Sequence, residues 1–295
     1  MIPVQLRLAA GAGAVVLYTV LATGADAVTK HVAEAFAAPQ LYFLSGLVVM
    51  ALALGVDRAS GARHGLRTAQ PRLMALRCTM TVASAVGYFY AFRLLPFAEV
   101  FLFVGLMPLI SGLMSGPVLG ETVSPRAWVA LGAGFLGLLA IFPEGFAAVR
   151  PGHVVAFGAA VAGTASMVLA RRIARTENNP LMQLFWPNLA LSGVMAVALP
   201  FVYRPMSGAD LAWIAAYGVL LYAARFVLVH ALTWMAAYVV TPLINLQFVW
   251  MVALGALVFG EVPAPTLYAG VAIVIASGLY LVMEQVPLMS RTRAA

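Results

Sequence analysis

Between Glu177 and Arg204 no residue carries a charge, and the same pattern of long apolar runs bounded by sparse arginines recurs from one end of the chain to the other. A run of about 20 apolar residues, wound as a helix, crosses a hydrocarbon core of about 30 Å. In lipid every backbone polar group must find its partner inside the protein, which leaves helices or closed barrels as spanning structures. Barrel strands alternate polar and apolar residues in segments of about ten, whereas stretches such as Val123–Phe142 are apolar all round. The sequence therefore predicts an all-α polytopic membrane protein. Composition agrees, with 63% apolar and 9% charged residues and a mean hydropathy of +0.98.

The remaining bulk properties exclude other classes. Cys78 is the single cysteine, so no disulfide within the chain or cysteine-based metal cluster can form. No cofactor or metal is expected. The net charge of +7 comes from arginines set between apolar segments, with no basic run interleaved with aromatics, so nucleic acid is not an expected partner. Arg7 and the apolar stretch after it imitate a signal peptide, but the run is longer than a usual signal core and is read as a first span. No HExxH, GxSxG or phosphate loop occurs, and no loop between the expected helices has room for a soluble catalytic domain. An enzyme is not expected.

Proline, glycine and charge as punctuation place ten helices at roughly 8–30, 39–56, 72–93, 97–117, 124–143, 152–173, 180–202, 209–231, 236–258 and 264–284. Lys and Arg favour one set of alternate loops by eleven to four. That bias puts both termini in the cytoplasm of a bacterial inner membrane.

GETVSP at 120–125 and GEVPAP at 260–265 are near-copies five helices apart. Five is odd, so two five-helix units, residues 1–147 and 148–295, would face opposite ways. Inverted repeats of this kind characterise many secondary transporters. Gly120 and Gly260 suit helix ends in a left-handed conformation, Pro125 and Pro265 suit the first turn of the next helix, and Glu121 and Glu261 suit its positive end.

The residues Arg77, Tyr90-Ala91-Phe92, Leu95-Pro96-Phe97-Ala98, Pro108, Gly120-Glu121, Gly132 and Gly137, with Pro242, Gly260-Glu261, Gly270 and Gly278 in the second half, resemble the EamA-type pattern of the drug/metabolite transporter superfamily. The resemblance implies ten helices in two inverted repeats and a central cavity formed mainly by helices 1, 3, 4, 6, 8 and 9. Within the superfamily the chain looks most like bacterial aromatic amino-acid exporters. Where the family's first helix commonly has a Trp-Gly pair, this chain has Leu17-Tyr18-Thr19.

Polar side chains in membrane helices are costly and mark candidate sites. Arg77, Thr81, Ser84 and Tyr88 share one face of helix 3, and Thr19, Thr23, Asp26 and Lys30 share one face of helix 1. Tyr222 and Arg225 in helix 8 and Tyr238, Asn245 and Trp250 in helix 9 complete the set. Thr19, Thr81, Ser84, Tyr88, Tyr222, Arg225, Tyr238, Asn245 and Trp250 are the expected substrate contacts, with Arg225 as a clamp for a carboxylate. Arg77 either touches substrate or snorkels to the interface. Asp26, Lys30, Pro108 and Pro242 are expected to gate, the prolines by freeing carbonyls and bending their helices; an interfacial Asp26–Lys30 ion pair is the plainer alternative. Gly112-x-x-x-Gly116 allows close helix approach, within the fold or in a homodimer.

The expected function is secondary transport by alternating access, exporting amino acids including aromatic ones. All ten acidic residues fall in loops or near expected helix ends, which favours facilitated movement. The alternatives are a vitamin or nucleoside-like cofactor as cargo, or a proton-coupled exporter.

Overall fold

A computed structural model of the protein describes residues 4–59, 66–95, 100, 103–139, 150–177, 179–235, 237–258, 272, 273, 276 and 280. Its elements are α1 (Val4–Ala35), α2 (Ala38–Ala59), α3 (Pro71–Leu94), α4 (Met107–Met114) continuing as a π turn (Ser115–Leu119), α5 (Pro125–Leu139), α6 (Pro151–Ala174), α7 (Pro180–Val202), α8 (Gly208–Trp234), α9 (Ala237–Ile244) and α10 (Gln247–Val258). The expected tenth helix and the second copy of the repeated phrase lie outside the described residues, apart from single helical positions at 272, 273, 276 and 280.

Local chemistry sets the boundaries. Pro71, Pro151 and Pro180 open α3, α6 and α7 at positions where a missing amide is harmless. Asn179 Oδ1 caps α7 by accepting from Leu181 and Met182 N–H, and Ser207 with Asp210 forms a capping box on α8. Gly120 ends the π turn at φ 64°, the left-handed conformation expected of it.

Spans Ala9–Thr29, Ala38–Ala59, Pro151–Ala174, Pro180–Val202 and Gly208–Trp234 are each long and apolar enough to cross a membrane, and Phe103–Leu119 is a shorter apolar helix. Phe201 and Leu257, 85% and 84% exposed, belong to an apolar outer surface that lipid can cover. The chain is a multi-span helical membrane protein. α1 packs chiefly on α8, α3 on α6, α2 on α7, and α4 on α9.

Two elements differ from the sequence reading. The expected ninth helix is broken at Asn245–Leu246, three residues past Pro242, into α9 and α10. The expected fourth helix has a turn at Leu106, just before Pro108, and a π turn containing Pro117. Pro108 lacks the N–H that would hold Val104 O, and the fourth helix loosens between them. At Asn245–Leu246, past Pro242, the amides of Leu246 and Phe248 bond back three residues to Leu243 O and Asn245 O, which interrupts the α-helical pattern.

Candidate functional site

A cavity of about 290 Å³ opens among α1, α2, α3, α4, α6, α7, α8 and the α9–α10 junction. Along α1 its wall is Tyr18, Ala22, Ala25, Asp26 and Thr29, a single helical face. α3 contributes Arg77, Thr81, Ser84 and Tyr88, the face expected from sequence. Tyr42, Tyr217 and Arg225 enter from α2 and α8, while Ser166, Gln183 and Gln247 add polar groups from α6, α7 and α10.

The polar groups are held in place by short bonds. Thr81 Oγ1 donates to Arg77 O at 2.9 Å and lies 2.7 Å from Ser166 Oγ. Arg77 does not snorkel: it is 8% exposed, and its Nη1 donates to both Gln183 O and Gln183 Oε1 at 2.8 Å. The reason lies four residues on. Pro187 offers no N–H to Gln183 O, and the arginine supplies the missing donor. Arg225 Nη1 donates to Asn188 Oδ1 at 3.0 Å, while Asn188 Nδ2 donates back to Leu184 O at 2.7 Å.

Asp26 sits inside the membrane span. Within a turn of that span's end at Thr29, the carboxylate lines the cavity, and its Oδ2 accepts from Gln247 Nε2 at 3.5 Å. Among the described residues it is the one carboxylate in the cavity wall.

Of the expected site residues, Thr81, Ser84, Tyr88, Arg225 and Asp26 face the cavity. Thr19 and Trp250 instead bond each other, indole Nε1 to Oγ1 at 2.9 Å, fastening α10 to α1 behind the wall. Tyr222 stacks on Phe226 with ring centroids 5.9 Å apart, beside the cavity. Asn245 is buried at the helix break and Pro108 is buried near the start of α4; neither is in the wall. The side chains of Lys30, Tyr238 and Pro242 lie outside the described residues.

Sequence reasoning missed Tyr18, Tyr42, Tyr217, Ser166, Gln183 and Gln247. Tyr18 was one position from discovery: the hydroxyls of Thr19 and Thr23 suggested a polar face, but both donate to their own helix's carbonyls.

A charge cluster backs one part of the cavity wall. Glu121 Oε1 accepts from Arg171 Nε at 2.8 Å and from Arg175 Nη2. Arg171 Nη1 also donates to Leu232 O at 2.6 Å and to Met235 O, while Arg172 and Arg175 donate to Val118 O and Leu119 O. Ala170 and Leu232 belong to the cavity wall, so this cluster lies directly behind it.

No protein-family model matches the chain. A riboflavin transporter of Rhizobium johnstonii is 31% identical over 173 residues, which is 57% of this chain and 55% of that protein. The chain is a distant homologue of that transporter. The match spans about half the length of the curated relative. A protein of known crystal structure aligns over 93% of this chain and 95% of its own, with a TM-score of 0.75 and 19% identity, which establishes a shared fold. That relative's cargo, riboflavin, is a vitamin and not an amino acid.

Proposed function

We propose that the protein is a secondary transporter of a small amphipathic metabolite with a flat ring system, a flavin-like vitamin, working by alternating access. The observation that carries the reading is the similarity to the riboflavin transporter. The cavity supports it: Tyr18, Tyr42, Tyr88 and Tyr217 offer ring faces and edges, and Thr81, Ser84 and Gln183 offer hydrogen bonds around them.

In this reading the chain has ten spans in two inverted five-helix repeats, residues 1–147 and 148–295. The packing supports it. With spans counted in sequence, α1 on α8 pairs the first with the eighth, and α3 on α6 pairs the third with the sixth. Exchanging each span for the one five places away turns the first pair into the second. The same exchange maps the second-with-seventh and fourth-with-ninth pairs, α2 on α7 and α4 on α9, onto themselves. A pseudo-two-fold axis requires those relations.

The test is riboflavin flux in proteoliposomes, with and without an imposed proton gradient, beside labelled phenylalanine. Riboflavin flux above empty vesicles is expected, and Tyr88→Ala lowers it by roughly three- to tenfold, the worth of one aromatic contact. Phenylalanine flux without riboflavin flux would return the amino-acid reading. Proton-coupled transport is the second reading, favoured by the placement of Asp26 in the wall. It requires stimulation by the gradient that Asp26→Asn removes.

A further inference from the structure

The cavity holds two guanidiniums and one carboxylate, and these groups do not pair with one another. Among the described residues the ion pairs are those of Glu121 with Arg171 and Arg175, and neither Arg77, Arg225 nor Asp26 takes part in one. A cation placed in a membrane interior without a counter-charge is costly. Here two of them line the same wall.

Both arginines are anchored by neutral oxygens on α7. Gln183 holds Nη1 of Arg77 and Asn188 holds Nη1 of Arg225. Five residues separate these anchors, about 7.5 Å along the helix axis. Each anchor takes up one corner of a guanidinium that has five N–H donors in a planar fork. Nε of Arg77 is buried and has no hydrogen-bond partner. A buried donor left unmade is rare and costs free energy. A carboxylate or phosphate oxygen, reached by charge-assisted bonds of about 2.8 Å, would satisfy it and neutralise the paired positive charge.

We propose that Arg77 and Arg225 form one anion subsite, so that the cavity takes, besides a neutral flavin, aromatic molecules bearing a carboxylate or a phosphate ester, with the ring among the tyrosines. This rests on the transport reading for its biological meaning, while the subsite itself is a binding claim. Gln183 and Asn188 act as positioning residues that hold the two forks with their free edges available. Pro187 takes part as well, because its missing N–H is what keeps Gln183 O available to Arg77.

The test is calorimetric binding to the full-length protein in detergent, using phenylacetate, phenyl phosphate and neutral 2-phenylethanol. At least one anion should bind about tenfold or more tightly than the alcohol, the value of a charge-assisted hydrogen bond. Which anion binds more tightly distinguishes carboxylate from phosphate. Arg77→Gln and Arg225→Gln should each remove most of that preference, and Arg77→Lys should restore part of it. Equal affinity for anion and alcohol in the wild type would overturn the proposal without any variant. Absence of binding by all three probes, or a preference that survives in the doubly substituted protein, would overturn it too. Anion binding without flux of either riboflavin or its phosphate ester would retain the subsite and reject the flavin reading.

Discussion

At the scale of single residues, one missing methyl group sets the approach of α3 to α6. A Cβ added at Gly87 would stand 2.8 Å from Ala159 Cβ and 3.4 Å from its Cα, so backbone rather than a flexible side-chain end would have to move. Gly87→Ala should therefore destabilise the protein by about 1–3 kcal/mol, read as a lower unfolding midpoint in detergent. Adding Ala159→Gly should recover part of the loss, as contacting residues do not act independently; an unchanged midpoint for Gly87→Ala alone would refute the steric account. The spacing Gly112-x-x-x-Gly116 was the visible small-residue motif. There Gly112 faces Leu131 and Trp128 within the fold, whereas a Cβ at Gly116 would meet little. Gly87 gave no such signal, because its small partner lies 72 residues away on another helix.

At the scale of elements, the GETVSP phrase does more than end one helix and start the next. Gly120 has the expected left-handed turn, and Ser124 Oγ accepts from Ala127 N at 3.0 Å at the start of α5. Glu121 was expected to favour that helix start, yet its Oε1 takes Arg171 and Arg175 from the end of α6. Through Arg171 the cluster also gathers the last carbonyls of α8, so three helix ends are tied together behind the cavity. Removing one partner of a partly buried ion pair leaves charge uncompensated. Glu121→Gln should loosen this end. In a Cys78→Ser background, a cysteine at Leu232, now buried in the cavity wall, should then react several-fold faster with a small thiol reagent. An unaltered rate would mean that this end is held shut by apolar packing. The phrase was legible as punctuation; its charge partners were not, since arginines 50 and 54 residues away give no local pattern.

At the scale of the whole molecule, the proposed ten spans, with the arginine-rich loops on one side, would put both termini on that side. Single cysteines at Gln5 and Thr292 in the Cys78→Ser protein should escape a membrane-impermeant maleimide in intact cells, while one at Tyr203 reacts. Reaction at just one terminus would mean an odd number of spans. Helical class and membrane residence were determined by the sequence itself, because apolar runs of this length allow no other way to satisfy a backbone in hydrocarbon. The face Arg77–Thr81–Ser84–Tyr88 was equally readable, since a helix's period fixes which of its own side chains align. What only the tertiary structure decided is which aligned faces meet. Thr19 and Trp250 satisfy each other, Arg77 completes a carbonyl that Pro187 left open, and Asp26 falls within the cavity because the face of α1 that carries it meets α8 and α10. Those outcomes depend on interhelical distances set by packing between residues remote in sequence, and helical periodicity carries no information about them.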